Sequence, residues 1–381
     1  WSFLIAWALQ GFYVVWLPLE IALIFERGRR QNHGVSLTRR AAGLLVVGLE
    51  AGAIIGALAA GRIYAATGDL TVTLIVPAVA VTIVAVVIWL FVPESTPHPG
   101  RSLDTWGFVI LAWGLLLVTG ALAWMRMIGE LDLGEGAWLW VVALLLAGVA
   151  VLVWFVFYEL RQADPAIDIR VLRRPEMWPV QATAFLIGIS LLGAQGPLST
   201  YAGTDPSLGY GLGLDATERS NIIGVYLVSL IVGAVLFAVT SRRASPRIVL
   251  IAAALLVGVG YTLFLPFHLE LWQVLLNLSI AGLGCGALVG AMPAAAAAAA
   301  PIGQTGVASA LTNTTKTIGG TFSSAVFGVV LAAGVGAVAS QTAASLGGYM
   351  TVWAICAGGG FLAAVLLLFV PKVAFADAPP A

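Results

Sequence analysis

The chain has 381 residues, of which 60% are hydrophobic and only 9% are charged, and its mean hydropathy is +1.01. Soluble domains carry about 25% charged residues, so this composition predicts a polytopic membrane protein. The net charge is zero, which argues against nucleic-acid binding. Cys285 and Cys356 lie far apart in apolar runs, and we interpret them as small apolar residues rather than as a disulfide or a metal site.

Apolar runs of about 20 residues, the length that crosses a bilayer as a helix, predict an all-α fold with eleven transmembrane helices. We place them at residues 2–25, 41–63, 71–92, 105–127, 137–158, 177–199, 220–240, 247–267, 271–293, 312–338 and 348–371. The first residue is Trp1, already inside an apolar run, so we expect the chain to begin within a larger protein.

Two polar loops, 93–104 and 159–176, enclose one pair of spans. We therefore expect three parts. Residues 1–95 would be the remainder of an N-terminal helix bundle, residues 96–176 an inserted pair of spans with its flanking loops, and residues 177–381 a C-terminal bundle of six helices.

The distribution of basic residues predicts the orientation. Fourteen of the eighteen Lys and Arg residues fall in alternate loops or in the C-terminal tail. Cytoplasmic loops are enriched in Lys and Arg, so we expect these loops and the C-terminus to be cytoplasmic, in the cell (plasma) membrane.

The second predicted span is unusually rich in small residues. Gly48, Gly52, Gly56 and Ala59 fall on one narrow stripe of the helix. Small residues at every fourth position allow two helix backbones to approach closely in lipid. We therefore expect this stripe, with Gly52 and Gly56 at its centre, to pack against a helix of the C-terminal bundle.

The same span resembles a helix motif of the major facilitator superfamily, in its 14-span drug:proton antiporter branch. That motif is Gly, eight residues, Gly, three residues, Gly-Pro, two residues, Gly-Gly. Gly43, Gly52, Gly56 and Gly61 stand at matching positions, while Ala57 replaces the Pro. The resemblance implies helix bundles of that superfamily and about three further spans before residue 1.

The first span also resembles this family, through Gln10-Gly11 of the fourth-span motif Arg-x-x-Gln-Gly. The family's Arg is linked to proton coupling, but Trp7 stands at its position here, and Tyr13 replaces a later Gly. Three further stretches are similar to the family: residues 92–95 with 103–117, residues 164–178, and residues 307–328. The last contains Lys316, at a position where the family often has Arg.

Charged groups inside predicted spans are functional candidates, because an ion at mid-membrane costs at least about 2.5 kcal/mol. Glu50 lies near mid-depth and Glu20 lies nearer the cytoplasmic end, and both are candidates for proton coupling. The alternatives are a neutral, hydrogen-bonded Glu50 and a Glu20 paired with a nearby Arg. Lys316 is a candidate for the substrate pathway or a side chain that extends to the interface.

Other polar and aromatic residues could line the pathway. The candidates are Gln10, Tyr13, Gln195, Asn221 and Asn313. Polar groups in spans more often bridge helices, and aromatic residues near span ends more often anchor the helix at the interface.

The leading hypothesis is a secondary transporter with alternating access. The resemblance implies export of small amphipathic compounds or drugs in exchange for protons. The alternative is an uncoupled facilitator or an inactive truncated transporter of the same fold, because Trp7 replaces the Arg. A membrane enzyme or scaffold is the least supported class, since no catalytic cluster or phosphate-binding loop stands out. We expect small-molecule, proton and lipid-bilayer partners, and no cofactor, metal or nucleic acid.

Overall fold

A computed structural model of the protein describes residues 5–6, 9–12, 16–29, 34–93, 104–131, 136–241, 243–300, 305–333 and 344–370. Within these ranges the regular structure is entirely helical, which confirms an all-α polytopic membrane protein. The helices are α1 Trp16–Arg29, α2 Gly34–Thr67, α3 Leu70–Phe91, α4 Thr105–Leu131, α5 Ala137–Glu159, α6 Ile169–Leu172, α7 Trp178–Gly188, α8 Gln195–Gly203, α9 Ala216–Thr240, α10 Pro246–Leu263, α11 Leu271–Ala299, α12 Thr305–Ala333 and α13 Leu346–Leu367.

Eight of the helical segments in the described part are long and apolar enough to cross a membrane. They correspond to eight of the eleven predicted spans. The second and tenth predicted spans are helices too, α2 and α12, but they are longer and more polar than the apolar runs suggested. The first predicted span is described only in part, and α1 continues past its predicted end to Arg29.

Local sequence signals explain where several helices begin and end. Gly68 adopts a left-handed conformation (φ 63°) after α2, and the Asp69 side chain then caps α3 by accepting from the Thr71 N–H at 2.6 Å. Asp215 and Glu218 form a reciprocal capping box at the start of α9. The first signal makes a two-residue turn between α2 and α3, and the second fixes the start of α9 after the longer connection 204–215.

The sixth predicted span is not one continuous α-helix. A five-residue π-helix, Ile189–Gly193, separates α7 from α8. Within it the Ser190 hydroxyl donates to the Cys356 carbonyl at 3.1 Å, and the Ser190 carbonyl accepts from the Tyr261 hydroxyl at 2.6 Å. These bonds tie the irregular segment to α10 and α13. π-Helical segments are frequent at functional sites, and hydropathy gave no sign of this one.

The C-terminal helices pack through glycines. A Cβ added to Gly286 of α11 would overlap the Leu230 carbonyl of α9, and one added to Gly284 would overlap the Ala253 carbonyl of α10. Gly360 of α13 lies in the same way against Gly258 of α10. Backbones therefore touch at several crossings, and the largest buried cluster of the described residues lies among these helices.

A buried aromatic cluster closes one end of this bundle. Trp353 of α13 is 1% exposed, with its ring 5.0 Å from Tyr201 and 5.0 Å from Phe264. The Tyr201 hydroxyl donates to the His268 carbonyl at 2.9 Å. The cluster joins α8, α10 and α13 with the segment after α10.

The glycine stripe of α2 does not make the predicted contact within the described residues. Gly48, Gly52 and Gly56 are exposed, and a Cβ added to any of them meets no described atom within 4 Å. The helix does pack against α9 and α11. At the start of the same stripe, the Leu45 side chain packs with Ile21 of α1 and Ala294 of α11. A leucine side chain thus provides the contact where backbone-to-backbone packing was expected.

The inserted pair α4–α5 forms a close antiparallel unit. Gly114 of α4 faces the Leu152 side chain, and Gly148 of α5 faces Val118. A small buried cluster of Ile128, Ala137 and Val141 lies where the two helices are connected. Helix α4 also packs against α12, which brings this pair to the helix that carries Lys316.

Candidate functional site: a cleft between α7, α11 and α12

The described residues form a small, partly open cleft at the junction of α7, α11 and α12, with a cavity volume of about 10 Å³, roughly the space of one water molecule. Most of its wall is apolar, and its polar lining comes from α12. The lining residues are Ala184, Ile187, Leu288, Val289, Met292, Pro293, Thr312, Asn313 and Lys316.

Lys316 and Asn313 are one helical turn apart on α12 and face this space together. Their helix is held against α7 by glycines: a Cβ on Gly188 would overlap the Lys316 carbonyl, and one on Gly319 would overlap the Phe185 carbonyl. Because two backbones touch here, the base of the Lys316 side chain has a fixed position at the cleft wall.

Gln181 supports the polar wall from α7. Its amide Nε2 donates to the Thr312 hydroxyl at 3.2 Å and to the Ala308 carbonyl at 3.4 Å. The Thr312 hydroxyl itself donates to the Ala308 carbonyl at 2.9 Å. Both Gln181 and Thr312 are buried, so these bonds set the separation of α7 and α12 beside the cleft.

Pro293 interrupts the backbone hydrogen bonds of α11 beside the cleft. Proline has no N–H, so the Val289 carbonyl lacks the intrahelical bond that residue 293 would otherwise donate. The Pro293 carbonyl accepts from the Ser309 hydroxyl of α12 at 3.0 Å. The Ser309 bond therefore ties α12 to α11 beside the cleft.

Of the predicted pathway residues that the structure describes, Asn313 and Lys316 are the two that it brings together. Gln195 is half-buried and donates to the Leu191 carbonyl at 3.1 Å, and Gln10 and Asn221 are exposed. None of these three lines the cleft. Gln195 donates to a carbonyl within its own span, and Asn221 is exposed on the surface of α9.

Glu20, one of the two predicted proton-coupling residues, is half-buried on α1 beside the buried Ile21. It does not line the cleft. The remaining candidates lie outside the description: residue Tyr13 as a whole, and the surroundings of Glu50, Gly43 and Gly61, whose helix α2 is described. Their predicted roles stay predictions.

Sequence analysis missed Gln181, Thr312 and Ser309. Gln181 and Ser309 are single uncharged polar residues in apolar or small-residue runs, the usual pattern of helix-bridging groups, and Thr312 is one of several threonines in the polar run 312–317. Their partners are distant in sequence, 131 residues apart for Gln181 and Thr312. Only the folded helices show that they surround one cleft.

The chemistry of this lining, though not the water-sized space between the helices, matches a molecule with an apolar body and one polar end. Ile187, Leu288 and Met292 offer apolar surface, while Lys316 offers a cation and Asn313 an amide. Ligand sites in proteins commonly combine an apolar wall with a few converging polar groups.

Two curated proteins are similar to the chain. One, from Streptomyces coelicolor, is named a probable actinorhodin transporter and is 27% identical over 350 residues, which cover 88% of this chain and 57% of the relative. The other, from Mycolicibacterium hassiacum, is named a triacylglyceride transporter and is 28% identical over 259 residues, 64% of this chain and 46% of the relative. No protein-family model matches the chain. The chain spans about half the length of these relatives, both of which are named as transporters.

Proposed function

We propose that the chain is part of a secondary transporter of the major facilitator type, in the 14-span drug:proton antiporter branch, which exports small amphipathic organic compounds by alternating access. The observation that carries this proposal is the apolar cleft with Lys316 and Asn313 at one wall, inside a helical membrane protein. The transporter names of both relatives support it.

The proposed division is an N-terminal part (1–95), an inserted helix pair (96–176) and a C-terminal bundle (177–381). Support for the last comes from the large buried cluster among α7–α13. Support for the second comes from the close packing of α4 on α5. The proposed motion would move the N-terminal bundle relative to α7–α13 and so expose the cleft to either side.

Proton exchange is the finer part of the proposal, with Glu50 and Glu20 as the candidate coupling residues. The alternative is an uncoupled facilitator, favoured by Trp7 at the family's Arg position. The two differ in one measurable property: only the exchanger accumulates substrate against its gradient when a pH difference is imposed.

Transport by the complete natural protein, reconstituted in liposomes, tests this. We expect uptake of an anionic amphipathic dye to follow an imposed pH gradient, and Lys316→Gln to reduce it at least several-fold while Lys316→Arg retains most of it. Glu176→Gln, in the loop before α7, is the matched control. Gradient-independent uptake would favour the facilitator, and full activity of Lys316→Gln would remove the cleft from the pathway.

Glu50→Gln and Glu20→Gln separate the two coupling candidates in the same assay. We expect Glu50→Gln to insert and fold but to lose the response to the pH gradient, while Glu20→Gln keeps it. An unchanged response in Glu50→Gln would exclude Glu50 as the coupling group.

We also propose that the C-terminus and the loop 159–176 are cytoplasmic in the plasma membrane, because most basic residues fall on that side. Ala163 is exposed in this loop. A cysteine introduced there should resist a membrane-impermeant thiol reagent added to whole cells and react after lysis. Rapid reaction in intact cells would reverse the orientation.

A further inference from the structure

Two carboxyl groups meet where the helix pair α4–α5 adjoins the loop that leads to α7. Asp104 immediately precedes α4, and Glu159 is the last residue of α5 and only 1% exposed. On each group one oxygen is satisfied. Asp104 Oδ1 accepts from the Gly107 N–H at 2.8 Å and from the Tyr158 hydroxyl at 3.2 Å, and Glu159 Oε2 accepts from the Ile167 N–H at 3.4 Å.

The other oxygen of each group, Asp104 Oδ2 and Glu159 Oε1, is buried and has no hydrogen-bond partner among the residues that the structure describes. Both oxygens border the space that a side chain at residue 107 would fill. A Cβ added to Gly107 would lie 2.7 Å from Asp104 Oδ2 and would overlap Glu159 Oε1. The two oxygens therefore border one gap, the space that Gly107 leaves free, and lie within about 5 Å of each other.

The described charged groups around the pair do not compensate two negative charges. Asp168, in the loop after α5, adds a further repulsion. The loop arginines Arg161 and Arg170 are exposed, and Arg170 donates to the Leu160 carbonyl. Helix α12, which packs against α4, contributes Lys316, and that side chain faces the cleft.

We propose that Glu159 binds a proton at Oε1 and turns it toward Asp104 Oδ2, so that the two residues form a proton-binding site with Glu159 as the donor and Asp104 as the acceptor. Two carboxylates that share a buried site cannot both stay ionised cheaply. A single proton converts their repulsion into a hydrogen bond to a charged acceptor, which is stronger than a neutral one. Gly107 is needed because a side chain there would separate the two oxygens.

The site lies between the inserted pair and the loop that enters the C-terminal bundle, because Glu159 ends α5 and its Oε2 accepts from the Ile167 N–H of that loop. Loss of the proton would push Glu159 away from Asp104 and loosen its bond to Ile167. The inference goes beyond the proposed function, since it holds whether or not the protein exchanges protons during transport.

Thermal unfolding of the purified full-length protein as a function of pH tests the site. The folded state holds a proton that an unfolded carboxylate, with an ordinary pKa of about 4, has released, so stability should fall as pH rises above that ordinary pKa. Glu159→Gln places a permanent N–H donor opposite Asp104. Its melting temperature should lose this dependence, while the control Glu176→Gln keeps it.

Infrared difference spectroscopy gives an independent measurement. The carbonyl band of a protonated carboxylic acid should titrate with pH in the natural protein and in Glu176→Gln, and it should be absent in Glu159→Gln. If neither Glu159→Gln nor Asp104→Asn folds, Tyr158→Phe serves as the test variant. It removes only the hydrogen bond from the Tyr158 hydroxyl to Asp104, and it should shift the carbonyl band.

Three results would overturn the proposal: an unchanged pH dependence in Glu159→Gln, a carboxyl band indifferent to Tyr158→Phe, or stabilisation by sodium or potassium at fixed high pH. The last result would identify a metal cation, and not a proton, as the occupant.

Discussion

The glycines of α2 and those of α11 have opposite surroundings, although both helices are rich in small residues. Gly52 and Gly56, four residues apart on α2, are exposed and meet no described atom. Gly284 and Gly286 on α11 are buried and lie against the backbones of α10 and α9. Small residues thus permit close helix approach, but a partner helix at the right place decides whether it happens.

The difference extends to whole helices. Among the described residues, none of the most apolar 18-residue stretch of α3, the helix after the glycine stripe, is buried. In α11, 72% of the corresponding stretch is buried. Hydropathy is high for both helices because both must cross lipid. Apolar character therefore does not distinguish a helix that contacts lipid from one at the centre of a bundle.

Replacement of Gly286 by Leu should have the largest effect. Its side chain would enter the Leu230 backbone of α9, which cannot move aside as a flexible side chain can. We expect a loss of about 3 kcal/mol or more, seen as little folded protein by fluorescence-detected size exclusion. Gly52→Leu is the matched change on α2.

Gly52→Leu should leave the folded yield close to that of the natural protein if the described surroundings of α2 are complete. An equally severe loss in Gly52→Leu would mean that the stripe meets a partner in the assembled protein, as the family motif implies. The pair of variants therefore tests the original packing prediction directly.

The second comparison uses two tryptophans. Trp353 is 1% exposed in the aromatic cluster, while Trp89 near the end of α3 is 82% exposed. Trp353→Ala should destabilise by about 3–5 kcal/mol, because it leaves a cavity among Tyr201, Phe264 and Tyr349. Trp89→Ala should change stability by only about 0.5 kcal/mol. Similar losses of melting temperature in both variants would show that α3 is covered by another part of the protein.

Much of the fold follows from sequence because the bilayer fixes helix length. The apolar runs located α3 and α5 to within a few residues. The π-helix around Ser190 could not be predicted in this way, because hydropathy averages over it. The length of α2 was also underestimated, since its first turns, around Arg39 and Arg40, are polar.

The cleft was predictable only in part. Lys316 stood out because a cation in an apolar run is costly, and Asn313 lies one turn away on the same helix. Gln181 has no such signal, and its importance depends on Thr312, which only folding brings near it. The pair Asp104 and Glu159 is also separated by a helical hairpin, so neither residue alone indicated a shared site.

The smallest and most discriminating prediction concerns two glycines of α13. Gly358 is exposed with no described atom within 4 Å of an added Cβ, whereas a Cβ on Gly360 would overlap the Gly258 N–H of α10 and lie 3.1 Å from the Ala254 carbonyl. In soluble helices Gly→Ala gains about 1 kcal/mol where space permits. Gly358→Ala should therefore raise the melting temperature slightly and Gly360→Ala should lower it.

The two positions share one helix and one substitution, so helix propensity cancels between them and the difference measures packing alone. Equal shifts in the two variants would mean that α10 yields at this crossing, and close backbone contact would then not be what holds the C-terminal helices together.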